Sequence, residues 1–173
     1  VHKGGAKFDY EKAKWFNHQY ILRKSDSELV PLVKPFIQKH VADVDETRLQ
    51  VIISLIKERC HLLSDFWDQG HFFFQAPEKY NTAPVADKWN AQKAAFFNTW
   101  LDNLPSVTSW SHADIEAHFN DHLASSGLKK GDVLLPLRIM LVGDKYGPGV
   151  FNIAELIGPQ ETEARCRRML GEL

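Results

Sequence analysis

The sequence predicts an all-α protein, and three observations carry that reading. Through most of the 173 residues, apolar side chains recur at the three-to-four-residue spacing of a buried helical face. Period-two alternation, the mark of a half-buried strand, is almost absent. Ser, Asp, Gly and Pro punctuate the apolar segments where helices start and stop. A succession of such segments folds as helix packed on helix.

Taken in order, Asp9 is placed to cap a first helix over residues 9–24. Trp15, Phe16, Tyr20 and Ile21 lie near one of its faces, and Lys12, Lys14, His18 and Arg23 lie around it. Trp15 and Tyr20 are read as packing residues. Ser25, Asp26 and Ser27 break this pattern and can cap a second helix with Leu29, Val30, Leu32, Val33, Phe36 and Ile37 as its buried stripe. Pro31 fits the first turn, and Pro35 is expected to bend the helix. From Asp45 a third helix presents Leu49, Ile52, Ile53, Leu55 and Ile56 on a broad apolar face and ends near Arg59.

A short helical turn holds Leu62, Leu63, Phe66 and Trp67, and Gly70 precedes the run Phe72 to Phe74, which is too short to assign. Residues 75–84, with Pro77, Asn81, Thr82 and Pro84, read as a surface connection. They place a boundary between two helical subdomains, residues 1–78 and 79–173. A fourth helix is expected from Val85 to Leu104, burying Trp89, Ala94, Phe97, Trp100 and Leu101 and ended by Pro105. Ser111 to Asp114 matches a capping box for a helix over His112–Ser126 that buries Ile115, Phe119 and Leu123 and stops at Gly127.

The C-terminal stretch is punctuated most sharply. Leu134, Leu135, Leu137, Ile139, Met140 and Leu141 form an apolar segment whose only charge is Arg138. Gly143 can take the left-handed conformation that closes a helix. The corner Asp144 to Gly149 sets Gly147, Pro148 and Gly149 side by side, a backbone free of bulky side chains that a ligand can approach closely. Val150, Phe151, Ile153, Leu156 and Ile157 then recur at helical spacing, Gly158 stops the helix, and Pro159 opens a last one carrying Arg165, Arg167 and Arg168.

Composition bounds the function. With 21 Lys plus Arg against 22 Asp plus Glu, the net charge of −1 exerts no overall pull toward nucleic acid or membrane, so any RNA site is a local patch. Hydrophobic residues make up 44%, enough for one sizeable core or two small ones. No apolar run approaches the roughly 20 residues that cross a bilayer, and no signal peptide opens the chain. Cys60 and Cys166 show no metal or disulfide spacing, which points to a reducing cytosol. The first residue, Val1, is consistent with a fragment.

Candidate chemistry is sparse. His118 and His122 stand one turn apart, as two metal ligands would, but a polar helix face explains them as well and no metal site is expected. No nucleophile elbow surrounds any Ser or Cys, and no phosphate-cradling glycine loop follows a strand. Arg138 beside the glycine–proline corner is more suggestive. A guanidinium there can offer paired donors to a base edge while backbone amides of the corner read another, although it can equally pair with a carboxylate or cap a helix end.

The order of motifs adds to this. The PLR of residues 136–138, then Gly143, GPG and VFNI, then ELIG and an acidic, Arg-rich helix, resembles the C-terminal end of bacterial glutamyl-tRNA synthetases. The N-terminal GGAKFDYEKAKWFNHQYI resembles the segment that follows the catalytic domain in that family. The resemblance covers nearly the whole chain, in the family's order.

It implies an all-α anticodon-binding region of two helical subdomains, the second made of residues 79–173 and the first of residues 1–78 with a linker or stem-contact segment. It places Arg138, Arg59, Gly147 and Val150 where the family contacts anticodon bases. It further implies a parent that ligates glutamate to tRNA(Glu) with ATP and Mg²⁺ in a missing N-terminal catalytic domain, leaving this fragment without catalysis or cofactor. The expected partners are that domain and the tRNA(Glu) anticodon loop, in a cytoplasmic monomer. Two other readings stay open: a helical protein-interaction module with an exposed apolar patch at Phe72 to Phe74, and a small helical enzyme using His118 and His122.

Overall fold

The structure, a computed structural model, describes residues 3–173, with side chains described from Asp9 onward; Val1, the residue that suggested a fragment, lies outside the described residues. The described residues form ten α-helices and three short 3-10 turns, with no strand among them. They divide into two compact units, one ending at His71 and the other running Phe72–Leu173.

The first unit holds α1 (Lys3–Arg23), α2 (Asp26–Gln38), α3 (Glu46–Ile56) and α4 (Asp65–Gly70). At the start of α2, Ser25 Oγ accepts the Glu28 amide at 3.2 Å while the Glu28 carboxylate accepts the Ser25 amide at 3.0 Å, so two orphan donors of the first turn are satisfied. Both Pro31 and Pro35 lie inside α2, which continues past them to Gln38. Burial of Leu29, Val33 and Ile37 beside Leu49, Ile52, Ile53 and Ile56 of α3 holds the helix despite the missing donors.

Two expectations for α1 are corrected. It begins at Lys3, so Asp9 is inside the helix and does not cap it. Trp15 and Tyr20 do not pack: with Phe16 they are 53–55% exposed, and Ile21 alone of the four is buried. The helix meets its unit along the edge that carries His18, whose Nδ1 donates to the Cys60 carbonyl at 2.7 Å and whose ring stacks on His61 at 4.4 Å. At 100° per residue, Phe16 and Tyr20 fall on the side opposite His18.

The second unit holds α5 (Ala83–Ala86), α6 (Ala91–Asp102), α7 (His112–Ala124), α8 (Lys130–Val142), α9 (Val150–Ile157) and α10 (Pro159–Leu170). The single helix expected from Val85 to Leu104 is two, because Asn90 caps α6: its backbone is extended (φ −152°, ψ 171°) and its side chain accepts the Lys93 amide at 2.9 Å. Phe119 of α7 centres the core, its ring 5.2 Å from Phe96, 5.2 Å from Trp100 and 5.4 Å from Phe151.

Residues 75–84 are more than a surface connection. Asn81 donates its amide to the Gly143 carbonyl at 2.8 Å, Tyr80 its hydroxyl to the Arg165 carbonyl at 3.3 Å, and Arg168 its guanidinium to the Pro77 carbonyl at 3.2 Å. These bonds fasten the segment to α8 and α10. The division into units falls earlier than residue 78, at Phe72. Most of the Phe run is core: Phe72 and Phe73 are 3% and 2% exposed and Phe74 is half-buried, so the run does not form the exposed patch expected of a protein-interaction module.

Asn90→Ala is expected to cost about 0.5–2 kcal/mol in a urea titration, whereas Asn90→Asp or Asn90→Ser, which keep a cap, are expected to stay near the original stability.

Candidate nucleic-acid interface

Arg138 lies in the penultimate turn of α8, the one charged residue on a segment whose Leu137, Ile139, Met140 and Leu141 are buried. The helix ends at Gly143 in the left-handed conformation (φ 90°), its amide donating to the Ile139 carbonyl at 2.7 Å. A Cβ there would come within 2.7 Å of the Pro77 Cβ and 2.8 Å of the Lys79 carbonyl, so the close approach of the 77–81 segment requires glycine.

The corner that follows is anchored at both ends. Near its start, Asp144 accepts the Lys145 amide at 2.7 Å and the Asn81 side-chain amide at 3.2 Å. At its far end the half-buried Arg138 reaches across and donates Nη1 to the Pro148 carbonyl at 2.6 Å. Gly147, at φ 130°, passes so close that a Cβ would stand 3.2 Å from that same nitrogen. The structure therefore brings Arg138, Gly147 and the start of α9 at Val150 together.

Val150 itself is buried, 6% exposed. The first amides of α9 have no acceptor one turn back and carry the positive end of the helix dipole. Arg138 and this helix start concentrate donors and positive potential at one corner of a nearly neutral chain. Arg59 belongs to the first unit, exposed at the end of the 3-10 turn Lys57–Arg59.

A second arginine supports the corner from beneath and escaped the sequence reading. Arg165 is only 3% exposed; Nη1 donates to the Phe72 carbonyl at 2.8 Å and the Leu141 carbonyl at 2.7 Å, and Nε pairs with Glu161 at 2.9 Å. It thus satisfies a carbonyl in the last turn of α8, where a cation also suits the dipole, and ties it to the Phe72 turn. The Phe72 ring in turn lies 3.5 Å from the place a Gly147 Cβ would occupy. The signal was available: Arg165 shares the i, i+3, i+4, i+7 stripe of Thr162, Cys166 and Met169, all buried.

The other candidates stay apart from this corner. His118 and His122 lie side by side on α7 with ring centroids 4.5 Å apart and planes tilted by 47°, with His118 Nε2 3.1 Å from Ser106 Oγ and His122 Nδ1 donating to the His118 carbonyl at 3.0 Å. Among the described residues no three His, Cys, Asp or Glu side chains converge as metal ligands would. Burial pushes both the Cys60 and Cys166 thiols up to about 12, so neither is a nucleophilic thiolate near neutral pH. No described helix is long and apolar enough to cross a membrane.

A protein-family model described as an anticodon binding domain matches residues 28–170. The chain belongs to the anticodon binding domain family. The domain is similar to curated glutamate–tRNA ligases: that of Flavobacterium johnsoniae is 36% identical over 173 residues, covering all of this chain and 34% of the ligase, and that of Porphyromonas gingivalis is 36% identical over 168 residues, covering 97% and 33%. A crystal structure of the glutamate tRNA ligase of Elizabethkingia meningosepticum in complex with its amino acid aligns with a TM-score of 0.88 at 31% identity, over 94% of this chain and 32% of the other. Glutamate-tRNA synthetase from Elizabethkingia anophelis gives 0.83 at 30%, over 93% and 31%. The anticodon binding domain thus spans about a third of the length of these relatives and corresponds to their C-terminal part.

Two outcomes follow within this domain. Arg165→Met is expected to cost about 1–3 kcal/mol for each carbonyl left unsatisfied, measured by chemical denaturation, and to weaken amide-exchange protection at the end of α8. Burial, then the neighbouring His122, hold the His118 pKa below its ordinary value, against the opposing pull of the Asn103 backbone and Asp121. The unfolded chain therefore takes up a proton first as pH falls through about 6.5, and stability drops until the folded group also titrates. His118→Gln is expected to flatten that part of the stability–pH curve; an unchanged curve would assign the loss to other groups.

Proposed function

We propose that this chain reads the anticodon of tRNA(Glu) as the C-terminal part of a glutamate–tRNA ligase. The observation that carries the reading is the bond from Arg138 to the Pro148 carbonyl, which holds a half-exposed guanidinium against a glycine-lined corner on the domain that matches the anticodon-binding family. One nitrogen of the fork fixes the corner, and the planar group is thereby aimed. A base edge meeting the guanidinium gains a charged hydrogen-bonding contact, and the exposed main chain of Gly149 lets a second unstacked base come close.

In this reading Val150 contributes main chain at the start of α9, and Arg59 adds a second contact from the first unit. Because Arg138 and the corner backbone are held in place before the RNA arrives, correct bases add favourable contacts at low ordering cost. Binding energy gained at the anticodon then improves docking of the distant acceptor end, where the remainder of the ligase joins glutamate to tRNA using ATP and Mg²⁺. The exposed Trp15, Phe16 and Tyr20 of α1 offer that remainder an apolar face. We place the whole enzyme in the cytoplasm, as a monomer.

The test is binding of the chain to stem-loops bearing a glutamate or an unrelated anticodon, at two salt concentrations. The glutamate loop is expected to bind more tightly at both, since base contacts lack the steep salt dependence of phosphate contacts. Arg138→Ala is expected to reduce that preference by about 1–3 kcal/mol with helical content retained. Equal affinity for the two loops would remove the base-reading claim.

A further inference from the structure

The geometry points to Tyr146 as a stacking platform for one unpaired base of the bound RNA, an inference that rests on the anticodon reading above. Tyr146 is 65% exposed, the most open of the large apolar side chains described, and it stands immediately before Gly147 at the corner that Arg138 braces. Elsewhere in the second unit Phe72, Phe73, Phe96, Phe97, Trp100, Phe119 and Phe151 are buried, and Phe74, Tyr80, Trp89 and Trp110 are half-buried. Tyr146 is thus the ring of this unit left most open to water, and an exposed ring offers a surface on which a ligand with a π-face of its own can stack.

The surrounding backbone makes this ring a preorganised surface. On its N-terminal side, Gly143 is clamped between Ile139 and Asn81, and Asp144 holds the Lys145 amide at 2.7 Å. On its C-terminal side, the Pro148 carbonyl is held by Arg138 at 2.6 Å. With its main chain anchored on both sides and only two side-chain torsions to set, Tyr146 loses little freedom when a base lies on it.

Charge favours a nucleotide as the occupant. The Lys145 ammonium stands 5.5 Å from the Tyr146 ring centroid, within cation–π range, so a base on the ring would bring its own phosphate into reach of an exposed ammonium. Stacking is tolerant of base identity because every base has a π-face. Tyr146 would therefore supply affinity without choosing the sequence, and Arg138 with the corner amides would choose it.

The division of labour is testable with the intact chain and the same pair of stem-loops. Tyr146→Ala is expected to weaken binding of both loops by a similar factor, about 5- to 140-fold, with the ratio between them kept. Tyr146→Phe is expected to bind as the original chain does, and Tyr146→Leu as Tyr146→Ala. A 2-aminopurine placed along the loop should change fluorescence at one position on binding, and that change should vanish in Tyr146→Ala. An unchanged melting temperature would separate these effects from unfolding.

Tight binding by Tyr146→Ala, a loss confined to one of the two loops, or failure of Tyr146→Phe to restore affinity would overturn the platform while the preference for the glutamate loop keeps the anticodon reading. Loss of that preference in the unaltered chain, or no binding to either loop, would overturn the anticodon reading and this inference with it.

Discussion

The close of α8 at Gly143 is the constraint on which the rest of the second unit turns. No side chain fits there, because Pro77 and the Lys79 carbonyl press against the place a Cβ would take. The left-handed turn lets one residue accept from Asn81 and donate to Ile139, pairing both of its main-chain groups at the end of a buried helix. It also sets the direction in which the chain leaves for the corner, and so where Pro148 meets Arg138. Arg165 secures the same helix end from inside by taking the Leu141 carbonyl together with that of Phe72.

Three arginines of this unit show how burial separates roles that composition cannot. Arg165 is sealed in the interior and bonds carbonyls that water cannot reach, so its contribution is to order α8, α10 and the Phe72 turn. Arg167 sits on the surface between Glu163 and Asp102, each at 2.9 Å, where solvent screens such pairs and they add little. Arg138 is intermediate, close enough to the interior to brace Pro148 and near enough to water to meet a ligand. Local arrangement of this kind is how a chain of net charge −1 can carry the RNA-reading corner proposed above.

Much of the fold was legible because its signals are local. Ser25 with Glu28, Asp45 with Arg48, and Ser111 with Asp114 each announce a helix start by bonds that span three residues. Gly143, Gly158 and Pro159 announced the two corners of the C-terminal stretch in the same way. Arg138 and Gly147 stood out because their neighbours are apolar in one case and small in the other. The break at Asn90 was missed, since apolar residues on both sides keep helical spacing through it and the cap competes with that pattern.

By itself, then, the sequence determined the all-helical class, most helix ends and the glycine–proline corner, all set by interactions within a few residues of chain. Only tertiary structure decided which equivalent side chains face water. Trp15, Phe16 and Tyr20 look like core and are exposed, Phe72 and Phe73 were unassignable and are core, and Arg165 and Arg138 differ chiefly in what lies against them. Those outcomes depend on contacts between residues far apart in the chain, such as Arg165 with Phe72 and Asn81 with Gly143, and spacing along one helix carries no information about its neighbour.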